Sequence, residues 1–492
     1  MKPVFVLSLA ALALYAAPSE MKYTLKSNMQ VVYRQTPPQV ENLGDLLAKG
    51  EFYGRLRFNH FWSDKGEDHY VTGAGGSLVY KSGFLNGFGF TAGFYTTQNP
   101  WHMEDEDAAI YKAGKDVLSR YDVLTEGKYG MSSLAQAYLE YQHPHLDLQA
   151  GRVIYESFLT KSNDTKMIPN TFEGVALYSN GLPDTKLQAA YFTKQKLRDH
   201  TKFHHLLAYG DDPSDPYAKY TENDDSAMHK GLTLSKLDAA GIDDRLITLE
   251  AKNSSIDNLL LTFNYTAVPD LVSSAMIQAD YSFTMDGVKI TPALRYMKQF
   301  DNGAGDIAGK NIAGDMGDER GGANLKTKTF GYKDPDSLDS SLFGAKVDLA
   351  HNAWKLRLGY TKVADEGDLV APWRGFPTGG FSRAMAQYNW YANTRTYMVR
   401  ADYDFDKAGI VSGMKAFMRY AVQDFDDEKP GVQSDSNVLT LDLLKEFDRL
   451  PGLYMKTRLA YVDGEDDTIA GDGSLKKDSS YNEIRFEINY LF

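Results

Sequence analysis

The sequence predicts an all-β protein, a transmembrane antiparallel β-barrel of about 18 strands joined by long external loops. Three observations carry that prediction. The chain ends on an unbroken alternation in which Ile484, Phe486, Ile488, Tyr490 and Phe492 interleave with Glu483, Arg485, Glu487, Asn489 and Leu491. Side chains in a strand point to opposite faces with period two, so one face of this segment is oily and the other nearly all charged or amide. Mean hydropathy is -0.42, and past the first few residues no apolar run reaches the roughly 20 residues that a spanning helix needs. Strands with lipid on one side and water on the other average to polar, so a barrel fits where a helical membrane protein does not. The third observation is the connections, whose lengths sort by parity as a barrel with both ends in the periplasm requires.

The elements follow in order. Lys2 precedes an apolar run, 4–14, that ends at Ala16 and Ala17. A charged start, a short apolar core and small residues beyond it are the pattern of a secretory signal, assigned to residues 1–17. Residues 18–50, with Pro37 and Pro38 and a helical turn at 43–49, form a periplasmic lead-in, too short for a globular plug. Residues 51–492 are the barrel, with no repeat and no second domain. Its predicted strands are 52–62, 69–81, 86–97, 133–142, 145–155, 172–179, 184–195, 245–252, 257–267, 274–284, 286–298, 341–350, 353–363, 394–405, 411–423, 437–447, 453–463 and 480–492. Alternation is weakest in 245–252 and in the fourth to sixth strands, where a bulge is expected. The even-numbered connections are tight, as at 82–85, 143–144 and 351–352, whereas most odd-numbered ones are long, as at 98–132, 156–171, 196–244, 299–340 and 364–393. Only the first and fifth external loops are short.

Composition agrees. The chain has 32 tyrosines, 25 phenylalanines, 42 glycines, no cysteine and a net charge of -13. Disulfides and thiol-metal sites are excluded, and an acidic chain does not suit nucleic acid. The acidity lies in loops such as 104–107, 211–225 and 463–472. Such runs are solvated surface first; second, they bind divalent ions that bridge lipopolysaccharide or draw in basic solutes. His204 and His205 form a loop pair without other fixed ligands, and no Ser, His and acid set forms a catalytic pattern.

With the apolar set turned outward, cations fall on the inner face: Arg55, Arg57, Lys289, Arg295, Lys346, Lys355, Arg357, Arg400, Lys415, Arg419, Lys456, Arg458 and Arg485. Inner-face carboxylates such as Asp280, Asp348, Asp402, Asp404, Glu483 and Glu487 partly neutralise them. A wall of guanidinium and ammonium groups in a narrow pore draws in carboxylates and offers them successive sites.

Two blocks carry a family resemblance. Residues 162–174, SNDTKMIPNTFEG, and 395–420, RTYMVRADYDFDKAGIVSGMKAFMRY, resemble the OprD family of substrate-specific outer-membrane porins, as does Gly379-Gly380-Phe381-Ser382-Arg383. The likeness extends loosely from Gly50 to Phe492. It implies a barrel of about 18 strands whose third and seventh external loops fold inward to form a constriction, with a ladder of basic side chains guiding carboxylate-bearing solutes. By position, Asp164 and Lys166 belong to the third loop and Arg383 to the seventh. Arg400, Arg419 and Arg458 belong to the ladder, to which inner-face parity adds Lys415, Arg357, Arg295 and Arg485. Lys166 stands where the family usually shows arginine, and Ile410-Val411-Ser412-Gly413 replaces a shorter Ile-Pro-Gly turn.

The expected function is a passive, substrate-selective channel for small anionic or zwitterionic solutes, such as amino acids and organic or aromatic acids. It needs no cofactor and no metal. It would sit among outer-membrane lipid and lipopolysaccharide as a monomer or a trimer. Two other readings stand beside it: a surface protein whose acidic loops bind a partner, and an outer-membrane hydrolase.

Overall fold

The computed structural model describes residues 22–492 apart from 65–67, 104–116, 120–121, 124–125, 209, 212–227, 311, 313–331, 333, 335 and 386–387. The signal-like segment, the acidic run 104–107 and most of 211–225 lie outside the described residues. Long antiparallel strands close a barrel of 18 strands. They are β1 Glu51–Ser63, β2 His69–Lys81, β3 Phe88–Gln98, β4 Gly130–His143, β5 Leu146–Val153, β6 Thr171–Leu182, β7 Thr185–Lys196, β8 Leu246–Ile256 and β9 Leu259–Val268. The second half comprises β10 Val272–Tyr281, β11 Val288–Asp301, β12 Ser340–His351, β13 Trp354–Val363, β14 Arg395–Asp404, β15 Met414–Asp424, β16 Ser436–Glu446, β17 Leu453–Gly464 and β18 Tyr481–Leu491.

The alternating pattern sorts side chains as predicted for a wall between lipid and water. Leu358, Tyr397, Val399, Met418, Tyr420, Leu459 and Ile484 are exposed on the outside, while Arg55, Asn59, Thr440, Asp442, Glu483 and Asn489 are buried inside. Aromatic pairs collect outward near the tight turns: Trp354 with Tyr403 at 4.4 Å between ring centroids, and Tyr490 with Phe492 at 6.2 Å. That is an interfacial girdle.

The tight turns explain the strand ends. Asn86, Asp184, Asn258, Asp286 and Asn352 all have positive φ. Hairpin turns that match strand twist need this left-handed region, which Asn and Asp tolerate. The strand predicted at 245–252 therefore runs on to Ile256 and turns at Asn258. The strand predicted to start at 411 starts at Met414, because Gly409 and Gly413 hold positive φ in a longer turn. Register shifts fall between Gly93 and Phe94, opposite β4, and between Glu173 and Gly174, opposite β7.

Closure is made by β18 on β1, with Glu487 opposite Asn59 and Ile488 opposite Phe58. At the seam Gly54 exchanges backbone hydrogen bonds with Phe492. A Cβ at Gly54 would come within 2.2 Å of the Phe492 ring, so the terminal aromatic packs there only because the position is glycine.

Ahead of β1, Leu43–Ala48 forms a short helix, α1, capped by the Asn42 side chain, which accepts from the Asp45 amide at 2.9 Å. Before it, Tyr23–Leu25 and Val31–Tyr33 pair as a small separate hairpin. Tyr23 from that hairpin shares a buried apolar cluster with Tyr53, Val79, Tyr95 and Leu491 of the wall and with Met167 and Ile168 of the loop between β5 and β6.

Candidate functional site

Cross-strand register sets the interior chemistry. Arg357 on β13 lies directly opposite Arg400 on β14, and Arg400 directly opposite Arg419 on β15. Arg419 faces Thr440 on β16. Two residues along, Asp442 faces Arg458 on β17, and Arg458 faces Arg485 on β18. The period-two rule turns these side chains to one face, and register places them at similar heights.

Carboxylates beside the row hold several of its members. Asp348 accepts from Arg357 at 2.6 and 2.8 Å and also meets Lys346 at 3.5 Å and Lys355 at 3.8 Å. Arg400 Nε donates to both oxygens of Asp402 at 3.0 Å. The buried Asp442 takes Arg458 at 2.8 Å and Lys456 at 3.4 Å. Arg485 pairs with Glu483, and Lys415 lies 3.7 Å from Asp404. Arg419 stands within electrostatic reach of Arg400, Arg458, Arg383 and Asp442, and its Nε has no hydrogen-bond partner among the described residues.

The loop 154–170, between β5 and β6, touches the non-adjacent β1. Asp164 accepts from Arg55 at 2.9 Å and pairs with Arg57 as well. The Lys166 ammonium lies 4.0 Å from the centre of the Phe61 ring, which Arg485 approaches at 5.3 Å from β18. The Lys166 carbonyl accepts from Asn59. Glu250 of β8 fixes the start of the same loop by accepting from the Phe158 amide at 2.7 Å.

The loop 364–394, between β13 and β14, is built on buried Trp373 and Trp390. Arg383 stacks on Phe376 at 4.3 Å and lies 5.7 Å from Trp390. Arg295 is committed to this loop: it donates to the carbonyls of Pro377 and Gly379 at 2.8 Å each and to Gln278 of β10. Its guanidinium also lies 4.9 Å from Phe158 and 4.3 Å from Phe381. Arg295 thus ties the two loops together, whereas the other arginines predicted for the ladder gather on β13 to β18.

Against the opposite wall a cavity of about 880 Å³ opens between the two loops, lined among others by Asn28, Lys161, Glu250, Asp280 and Phe376. Burial lowers the proton affinity of Lys161, although Glu156 and Glu250 oppose the shift. Among the described residues no group of His, Cys, Asp and Glu could hold a metal ion. His204 is buried and contacts His200, while His205 bonds Asp244 at 3.1 Å. Asp442 and Glu250 are buried interior carboxylates that the strand pattern had not singled out, although Asp442 shares the inward parity of Thr440 and Leu444.

The sequence matches the outer membrane porin, OprD family, over residues 133–492. No curated protein matches it. Solved structures do. Acinetobacter baumannii OccAB3 aligns at 17% identity with a TM-score of 0.67, covering 91% of this chain and 100% of that one. Pseudomonas aeruginosa OpdK with vanillate aligns at 16% identity and TM-score 0.66, covering 91% and 99%. Pseudomonas aeruginosa OccK2 (OpdF) in complex with glucuronate aligns at 14% identity and TM-score 0.61, again over 91% and 99%.

Proposed function

From the premise that the chain belongs to the OprD family of outer-membrane porins, channels of the Gram-negative outer membrane, we propose that it passes small carboxylate-bearing solutes passively along the arginine row. The observation that carries this reading is the direct facing of Arg357, Arg400 and Arg419 across three neighbouring strands. Like charges placed directly opposite each other on a sheet are destabilising. Folding alone gives no reason to stack them. A visiting anion does, since guanidinium matches a carboxylate with two parallel hydrogen bonds.

The carboxylates beside the row keep it from binding too well. Asp348 serves Arg357, Lys346 and Lys355 together, and Asp442 serves Arg458 and Lys456, so positive charge stays in excess. Exchange between a fixed Asp and a mobile carboxylate leaves each site shallow, which transit requires. In this reading the loops 154–170 and 364–394 form the constriction, with Asp164, Lys166 and Arg383 at its edge. Arg400, Arg419, Arg458, Lys415, Arg357 and Arg485 form the pathway, and Arg295 serves chiefly to hold the loops. OpdK and OccK2 were each solved with a carboxylate, vanillate or glucuronate, in keeping with this class of solute. Residues 1–17 would direct export and be removed.

Replacing Arg400 and Arg419 together by alanine tests the reading. Reversal potentials of single channels under a salt gradient should then lose most of their anion preference. Unchanged selectivity would contradict the pathway role.

A further inference from the structure

We propose that the N-terminal hairpin, residues 22–35, is a resident positioning element inside the barrel that narrows its periplasmic half and braces the loop 154–170. An isolated two-stranded hairpin is marginal in water, so this one is ordered by what it packs on. Those surfaces are interior. The Tyr33 ring lies 4.6 Å from that of Tyr53 and beneath the Lys81 ammonium at 4.5 Å, and Tyr53 donates to the Gln35 carbonyl at 2.8 Å. Tyr53 and Lys81 have the inward parity of β1 and β2. Tyr23 is buried and donates to the carbonyl of Gly54, with the Phe492 carbonyl 3.4 Å away, so it sits at the seam where the barrel closes.

The tip of the hairpin reaches the loop. Asn28 donates to Glu156 Oε1 at 2.8 Å, and the same oxygen accepts from the Ser162 hydroxyl at 2.6 Å and the Ser162 amide at 3.2 Å. Arg55, which holds Asp164 of that loop, lies 3.4 Å from the Met29 carbonyl. Hairpin, β1 and loop are therefore one hydrogen-bonded unit, and Asn28 also borders the cavity of about 880 Å³. A segment held by side chains, rather than by the barrel's own ladder, can leave without unpairing a strand. This inference rests on the constriction reading only for the loop's role; that the hairpin occupies the interior stands apart from it.

The chain has no cysteine, which makes the test clean. Three forms are compared with the parent in planar bilayers: a deletion of residues 22–35, Asn28→Ala, and Asn28→Cys with Glu156→Cys joined by a short bifunctional thiol reagent. The deletion should raise unit conductance and admit larger neutral polymers from the periplasmic side. Asn28→Ala should keep unit conductance but add open-channel noise, and the joined form should be as narrow as the parent and quieter. Equal conductance, polymer cut-off and noise in all forms would overturn the proposal. If the deletion fails to insert, the other two decide by noise alone. Carboxylate block is recorded in parallel: its absence with the hairpin effects intact would refute the proposed solute class and leave the hairpin standing.

Discussion

Asp164 accepts from Arg55 and Arg57, whose side chains are only 2% and 1% exposed. Removing one partner of a buried charge group costs about 3–5 kcal/mol, because the remaining charge keeps its desolvation penalty. Asp164→Asn should accordingly loosen the loop 154–170, which limited proteolysis at Lys161 and Lys166 would report, and two uncompensated guanidiniums should raise anion preference. A variant as protease-resistant and as selective as the parent would contradict this. Residue identity showed which face each arginine takes, since period two is visible in sequence. Height along the barrel was not visible, because register depends on turns that differ by single residues. For that reason the facing of Arg357, Arg400 and Arg419 emerges only in the structure. Arg295 has the right parity, but its partners are the carbonyls of Pro377 and Gly379, and backbone acceptors leave no trace in a side-chain pattern.

At the scale of elements, the loop 364–394 is pinned to the loop 302–339 through Asp368. This buried carboxylate accepts from the Ile312 amide at 3.0 Å, the Tyr332 hydroxyl at 3.0 Å and the Ala392 amide at 2.7 Å. Burial pushes it up to about 6 despite those donors. A carboxyl whose value is higher in the docked state binds its proton more tightly there. Its contribution favours docking below the ordinary value near 3.8 and is lost as pH rises through about 6. Asp426, nearby, is pushed up by burial but held below its ordinary value by Lys429 and Asn393, so it titrates beneath that window. Loop-driven current noise should therefore fall between about pH 7 and pH 5, and Asp368→Asn should flatten the dependence. Noise that rises on acidification would contradict the assignment. The strands were legible because alternation and turn residues agree, as at Asp286 and Asn352. The docking of long loops was not, since it joins positions such as Ile312 and Asp368 that no local pattern connects.

For the whole molecule, loop-length parity and the closing strand at 481–491 sufficed to indicate a closed barrel, because a wall between lipid and water constrains every strand alike. The interior obeys no such rule. A hairpin ahead of β1 sits in it, although the sequence pointed only to a lead-in with a helical turn. The central claim, that the row from Arg357 to Arg485 conducts carboxylates, is tested most directly in single channels of the refolded protein. Conductance and reversal potential would be recorded under a salt gradient while small carboxylates are added. The account predicts small anion-preferring steps that particular carboxylates block reversibly. Large steps without ion preference that no carboxylate blocks would contradict it.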